Sequence, residues 1–167
     1  VIEYYALDER LLVFWIERDK LQVRSVSVGR ETLHTVGRAV LAGIRDAGTG
    51  YVEPAAKLGA WLLDPVATQL NDGAQIKALI IVPHGPLHPI PFEALPWAGG
   101  LLVDRFAIVS AANLTAVHTA VQAPPRKRSK VLAVGDAEKN LPGARHEAEE
   151  VAKRFGGRAL LGSAAHE

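Results

Sequence analysis

The sequence contains no cysteine and no methionine. The first absence excludes disulfide bonds and thiolate metal sites, and it equally excludes a cysteine nucleophile within these residues. Because the chain begins at Val1 without an initiator methionine, we expect it to be a fragment of a longer protein. No basic segment followed by an apolar one opens the chain, so a signal peptide is not predicted.

An excess of either charge is also lacking, as is any long apolar run. Lysine and arginine number 19 against 18 aspartates and glutamates, so charge favours neither nucleic acid nor an anionic membrane as a partner. Apolar runs such as 78–82 and 101–109 are interrupted by charge or proline well short of the roughly 20 residues that a spanning helix needs. We therefore expect a soluble, cytoplasmic protein built as one domain with at most a small appendage.

The first part of the chain predicts an antiparallel β meander. Residues 3–7 and 11–16 are rich in aromatic and branched side chains and flank a polar turn, which is typical of a hairpin. Residues 21–28 follow another polar turn and alternate imperfectly between apolar and polar, as a strand with one solvated face does.

After the meander, the sequence predicts helices and then a buried strand. Apolar residues recur at helical intervals over 31–46 and again over about 54–70, where Pro65 is expected to kink the helix. The continuously apolar run 78–82 predicts a strand buried on both faces. The segment 83–96 is too rich in proline for a helix or an inner strand, so we expect a rigid, partly buried loop.

The remainder of the chain predicts one more strand and helix and then a strand–helix–strand unit. A short strand over 106–109 precedes a helix that Asn113 caps. Further along, residues 130–134 and 158–161 are expected to form strands on either side of an amphipathic helix over 144–155. Such a unit is typical of a parallel sheet with a right-handed crossover.

A basic run lies between the dipeptide Pro124-Pro125 and the last strand–helix–strand unit. It suggests a domain boundary. The stretch 126–130 is interpreted as a solvated linker rather than a nucleic-acid patch. The predicted organisation is a first subdomain over 1–123, a linker over 124–130 and a second, unfinished subdomain over 131–167. The expected fold class is α/β.

The proline-rich loop carries a resemblance to a known family. The segment Leu-Ile-Ile-Val-Pro-His-Gly-Pro-Leu-His-Pro-Ile-Pro-Phe-Glu-Ala-Leu at 79–95 resembles the CHAT family, caspase-like domains associated with tetratricopeptide repeats. His84 stands where the family usually has aspartate. The turn geometry should survive, because Pro83 and Gly85 still set it.

Other segments resemble the family in its own order. Trp-Leu-Leu-Asp-Pro-Val at 61–66 resembles a family helix, and residues 103–114 resemble a strand followed by a Ser-Ala-x-x-Leu segment. Downstream, 131–136 and 141–148 resemble the first strand and helix of a caspase-like sheet. The resemblance therefore spans nearly the whole chain.

Membership of this family implies a caspase-like α/β sandwich of which only the beginning is present. Family members use a catalytic His-Gly on a later strand and a cysteine further on, and neither follows here. The resemblance implies a bacterial-type cysteine endopeptidase, to which this part, inactive by itself, contributes scaffold and one wall of the substrate cleft. The implied partners are the rest of the CHAT domain, tetratricopeptide repeats and a protein or peptide substrate, with no cofactor, nucleic acid or membrane. The alternative is a non-catalytic CHAT-type interaction module.

Histidine and serine offer weaker candidates for chemistry. His84-Gly85 copies the catalytic dipeptide but occurs in the wrong motif, so a turn residue is favoured over a catalytic base. His84 and His88 have the spacing of metal ligands on a helix, but the surrounding prolines forbid that helix, and no metal site is predicted. The serines lack the Gly-x-Ser-x-Gly motif that a hydrolase nucleophile needs.

The best local candidates follow the strand of the last unit. Gly135 and Asp136 lie at its carboxyl end, where α/β proteins place ligands, and no phosphate-loop pattern surrounds them. In caspase-like enzymes the loop after this strand helps to build the pocket for the residue before the cleaved bond. The resemblance thus implies that Asp136 or Arg145 contacts substrate; the alternative is a loop cap for Asp136 and a helix-terminal charge for Arg145.

Overall fold

The computed structural model describes residues 1–46, 48–72, 76–123 and 131–165. The chain divides into two compact units, Val1–Gln122 and Ala123–Glu167. The predicted linker at 124–130 lies outside the described residues. None of the helices in the described ranges is long and apolar enough to cross a membrane.

The first unit is built on a five-stranded mixed sheet and a short hairpin. Its strands are β1 (Ile2–Ala6), β2 (Leu11–Ile16), β3 (Leu21–Val26), β4 (Ala78–Val82), β5 (Pro96–Trp97), β6 (Gly100–Leu101) and β7 (Ala107–Ser110). The order in the large sheet is β3-β2-β1-β4-β7. β1, β2 and β3 are antiparallel, which confirms the predicted meander, whereas β4 runs parallel to both β1 and β7.

Alternation along β1 and β2 explains which face of the sheet is inside. Tyr4 lies opposite Val13 in the β1–β2 ladder, and both side chains are buried. The Tyr4 ring packs 5.4 Å from that of Phe92, and its hydroxyl donates a 3.0 Å hydrogen bond to the carbonyl of Leu62. Full burial raises the pKa of Tyr4 well above its ordinary value, so the phenol remains neutral.

The helices of the first unit within the described ranges are α1 (Arg30–Arg45), α2 (Val52–Leu62), α3 (Ala67–Asp72) and α4 (Leu114–Gln122). Pro65, expected to kink a single helix over 54–70, instead separates α2 from α3 through a 3₁₀ turn, Asp64–Val66. The reason is that proline lacks an N–H and its ring clashes with the carbonyl four residues earlier. The segment nevertheless packs against the core on both sides of Pro65, since Leu62 and Val66 are both buried there.

The prediction that β4 is buried on both faces is wrong for one of them. Leu79 and Ile81 are buried on the inner face, but Ile80 is only half-buried, and its neighbour Val109 on β7 is 51% exposed. Burial of both faces requires helices on both sides of a parallel strand. α4, whose nine residues are all described, has no buried side chain and leaves this outer face largely open.

The proline-rich loop after β4 is partly buried, as expected. It forms two 3₁₀ turns, Gly85–Leu87 and Phe92–Ala94. The apolar side chains of the loop that enter the core are those of Leu87, Ile90, Phe92 and Leu95. These anchors explain how a segment without regular structure holds a defined course.

The second unit is a strand–helix–strand unit, and the predicted α/β class is confirmed. β8 (Leu132–Gly135) and β9 (Arg158–Leu161) pair in parallel, and α5 (Pro142–Arg154) connects them. α5 buries Ala148 and Ala152. The opposite face of β8 remains open, with Leu132 60% and Val134 58% exposed.

Candidate functional site

Asp136 lies immediately after β8, at the carboxyl end of a parallel strand. Its backbone has φ +52°, a left-handed conformation that aspartate adopts more readily than most residues. Gly135 precedes it because α5 passes close by: a Cβ on Gly135 would lie 2.7 Å from the Ala144 carbonyl oxygen. The backbone at the end of β8 and the backbone of α5 are therefore close together at Gly135.

Both oxygens of the Asp136 carboxylate have partners at the start of α5. Oδ1 accepts a 2.8 Å hydrogen bond from the backbone N–H of Leu141. Oδ2 accepts a 2.9 Å hydrogen bond from Nε of Arg145, and Nη2 of the same guanidinium lies 2.9 Å away. Such charge-assisted contacts are among the stronger hydrogen bonds in proteins.

The main chain of Asp136 extends the same arrangement to β9. Its carbonyl oxygen accepts hydrogen bonds of 3.1 Å from the N–H groups of Lys139 and Gly162. Gly162, which follows β9, has φ +58°. Asp136 therefore ties together the carboxyl ends of both parallel strands and the beginning of the intervening helix.

The charge of Asp136 is stabilised by these neighbours. The Leu141 N–H has the largest effect in holding the pKa of the carboxyl below its ordinary value, and the hydrogen bond and charge of Arg145 act in the same direction. Desolvation opposes them, because burial disfavours an ionised carboxyl. Asp136 is consequently a carboxylate at neutral pH.

Asp136 and Arg145 differ in their access to solvent. The side chain of Asp136 is 2% exposed, whereas that of Arg145 is 42% exposed. A ligand arriving from solvent meets the guanidinium, and the carboxylate lies behind it. The structure thus brings the two sequence-predicted residues into one ion pair, in which Asp136 is buried and Arg145 is partly exposed.

His84 lies at a different place, after β4 in the first unit. Its Nδ1 accepts a 3.2 Å hydrogen bond from the backbone N–H of Ala6, and its ring stacks on Tyr5 with centroids 4.2 Å apart. A neutral histidine whose Nδ1 accepts a hydrogen bond carries its proton on Nε2. Neither ring nitrogen then offers a free lone pair with which to take a proton from a nucleophile, which argues against a catalytic base.

Metal-ligating groups do not converge in the part of the chain that the structure describes: no three histidine, aspartate or glutamate side chains there lie close enough to hold an ion. His84 and His88 flank the first 3₁₀ turn of the loop rather than a helix face.

Comparison with known protein families assigns the chain to one of them. The family model described as "CHAT domain" matches residues 52–167, more than half of the chain. The chain belongs to the CHAT domain family. No curated protein and no solved structure matches it.

The CHAT match includes the turn of His84 and the Asp136–Arg145 pair, whereas β1, β2, β3 and α1 precede it. At position 84 the family resemblance leads one to expect aspartate. Aspartate Oδ1 and histidine Nδ1 are both bonded to Cγ, so either can accept the N–H of Ala6 at a similar reach. Sequence reasoning missed this acceptor role, since no signal along the chain connects residue 84 with residue 6.

Proposed function

We propose that this chain supplies the scaffold and part of the substrate cleft of a CHAT-type, caspase-like cysteine endopeptidase. The cysteine nucleophile of such a mechanism belongs to residues outside these 167, which contain no cysteine, and the family resemblance implies the same of the catalytic histidine. The proposal includes a bacterial, cytoplasmic setting, peptide or protein substrates, and neighbouring tetratricopeptide repeats, as the family resemblance implies.

The observation that carries the proposal is the Asp136–Arg145 pair within the CHAT match. It lies at the carboxyl end of a parallel strand, the edge at which open α/β sheets bind ligands. We assign substrate contact to Arg145, whose guanidinium is partly exposed, and a positioning role to Asp136, whose carboxylate is buried behind it. The N–H groups on Nη1 point to no described partner and are the donors that a substrate carbonyl or carboxylate would use.

The open face of β8 supports a covering layer on that face in the intact domain. Leu132 and Val134 expose apolar side chains that alternate with the buried side of the strand. Exposing apolar surface costs about 25 cal/mol per Å², so covering this face with further elements of the domain stabilises it. Parallel strands are normally covered on both faces.

The test requires the complete open reading frame. We expect a downstream His-Gly and a cysteine, and replacing that cysteine by alanine should abolish cleavage of a peptide library. Arg145→Ala should raise KM about tenfold or more with a smaller effect on kcat, whereas Arg154→Ala, an exposed arginine on the same helix, should leave both unchanged. Equal KM values for Arg145→Ala and the unmodified enzyme would remove Arg145 from the cleft.

A non-catalytic interaction module is the second candidate function. The observation that favours it is the outer face of the five-stranded sheet, where Leu21 is 66% exposed and Val109 lies open beside α4. If the complete gene lacks the histidine and cysteine, or if the complete protein cleaves no peptide of the library, this function is favoured. Retention of a repeat-containing subunit by the inactive protein would then support it directly.

A further inference from the structure

The parallel ladder between β1 and β4 is short. Only Ile2 and Glu3 of β1 are paired in it, with Ile81 and Val82 of β4, within the residues that the structure describes. Beyond this ladder, the N–H of Ala6 is directed toward the segment that follows β4. There it meets no backbone carbonyl, and the His84 side chain accepts it instead.

The residue that His84 holds through its N–H is also held by α1 through its carbonyl group. The carbonyl of Ala6 accepts a 3.1 Å hydrogen bond from Nη2 of Arg30, and the backbone N–H of Arg30 donates to the carbonyl of Leu7 at 2.8 Å. The end of β1 is thus fixed between the first turn of a helix and one imidazole nitrogen. Stacking of the His84 ring on Tyr5 keeps that nitrogen in place.

The contact depends on the protonation state of the imidazole. A neutral imidazole has one acceptor nitrogen, whereas an imidazolium has two donors and no acceptor. Protonation therefore replaces the hydrogen bond to Ala6 with two N–H groups that face each other. Histidine side chains commonly gain this proton within the physiological pH range.

We propose that His84 forms a pH-sensitive latch between the ends of β1 and β4. The neutral ring accepts the Ala6 N–H and holds the Pro83–Gly85 turn against β1, and protonation of the ring releases that turn. Gly85, with φ +57°, begins the 3₁₀ turn that follows. The latch acts at the carboxyl ends of two neighbouring inner strands of the large sheet and is independent of the proposed peptidase function.

Charged and titratable side chains lie on the elements packed around the latch. They include Tyr5 on β1, Asp8 and Glu9 in the turn after β1, Arg30, Glu31, His34 and Arg38 on α1, and His88 after the 3₁₀ turn. Nε of Arg30, the residue that also donates to the Ala6 carbonyl, lies 3.9 Å from the carboxylate of Asp8. Both of these side chains are more than half exposed, so salt screens their influence.

Amide hydrogen exchange at Ala6 tests the latch in the 167-residue chain. Relative to an unstructured peptide at the same pH, the protection of the Ala6 amide should fall about tenfold between pH 7.5 and pH 5.5. In His84→Asn the amide oxygen replaces Nδ1 at the same distance from the backbone, so the protection should stay constant with pH. His118→Asn, at an exposed position on α4, should behave as the unmodified chain does.

The tautomer of His84 provides a second measurement that needs no variant. Nitrogen-15 chemical shifts at pH 7.5 should show an unprotonated Nδ1 and a protonated Nε2. A proton on Nδ1 at that pH, pH-independent protection of Ala6 in the unmodified chain, or an equal loss of protection in His84→Asn would each overturn the proposal. Should His84→Asn fail to fold, the tautomer and the pH series of the unmodified chain decide the question.

Discussion

Arg145 places two nitrogens, Nε and Nη2, each 2.9 Å from a single carboxylate oxygen of Asp136, nine positions earlier in the chain. The remaining oxygen of that carboxylate accepts the Leu141 N–H. One buried acidic side chain thereby closes the loop between a strand and the helix that follows. The stability of the second unit and its dependence on pH follow from this arrangement.

Replacing Asp136 by asparagine should destabilise the second unit at neutral pH and weaken its response to acid. Since the folded-state pKa of Asp136 is lowered, its stabilising effect is present above the ordinary value of 3.8 and is lost as pH falls through the lower folded value. Urea unfolding followed by the NMR signals of Leu141 and Gly162 should therefore show a steeper acid loss in the unmodified chain. Glu149→Gln, at an exposed position on α5, is the control.

Gly135 and Gly143 offer a matched pair of glycine-to-alanine substitutions. A Cβ at Gly135 would lie 2.7 Å from the Ala144 carbonyl oxygen, whereas a Cβ at Gly143 would have nothing within 4 Å. We expect Gly135→Ala to lower the free energy of unfolding by about 1–3 kcal/mol through overpacking. Gly143→Ala should raise it by about 0.5 kcal/mol, because alanine restricts the unfolded chain. Amide exchange of α5 measures both, and equal effects would contradict the close approach of α5 to β8.

Tyr4→Phe should lower the stability of the first unit by about 1–2 kcal/mol, since it leaves the buried carbonyl of Leu62 without the Tyr4 hydroxyl. Tryptophan fluorescence during urea unfolding is a suitable measurement, because all three tryptophans lie in the first unit. Tyr5→Phe, at a position 48% exposed, should change stability by less than about 0.5 kcal/mol. Similar losses in the two variants would indicate that the Tyr4 hydrogen bond is not the cause.

Val134→Lys tests whether the open face of β8 is covered in the intact protein. In the 167-residue chain the side chain is exposed, so the substitution should change the free energy of unfolding by no more than about 0.5 kcal/mol. In the complete protein the same lysine should cost about 2 kcal/mol or more, because it places a charge in an apolar interface. Val103→Lys, at a position also exposed in a turn of the first unit, should be tolerated in both. Equal tolerance of Val134→Lys in the two proteins would contradict a covering layer on this face of β8.

Local patterns were sufficient for most of the secondary structure. The strands predicted over 78–82 and 158–161 have those bounds in the structure, because short apolar runs end there at proline or glycine. Pro65 marked the interruption of a helix, although it separates two helices instead of bending one. The error at Ile80 has a different origin: an apolar run does not reveal whether a helix covers its second face.

The sequence by itself determined the α/β class, most of the order of the elements, the CHAT resemblance and the choice of Asp136 and Arg145 as neighbours of a strand end. These follow from composition, periodicity and motifs, which are properties of residues close together in the chain. Only the tertiary structure decided that Asp136 is buried behind Arg145, that His84 accepts a hydrogen bond from Ala6, and that β4 is open on one side. The burial of Asp136 and the open face of β4 depend on how much water the folded chain excludes, and the contact of His84 with Ala6 depends on groups that meet across a long separation. Local spacing encodes neither.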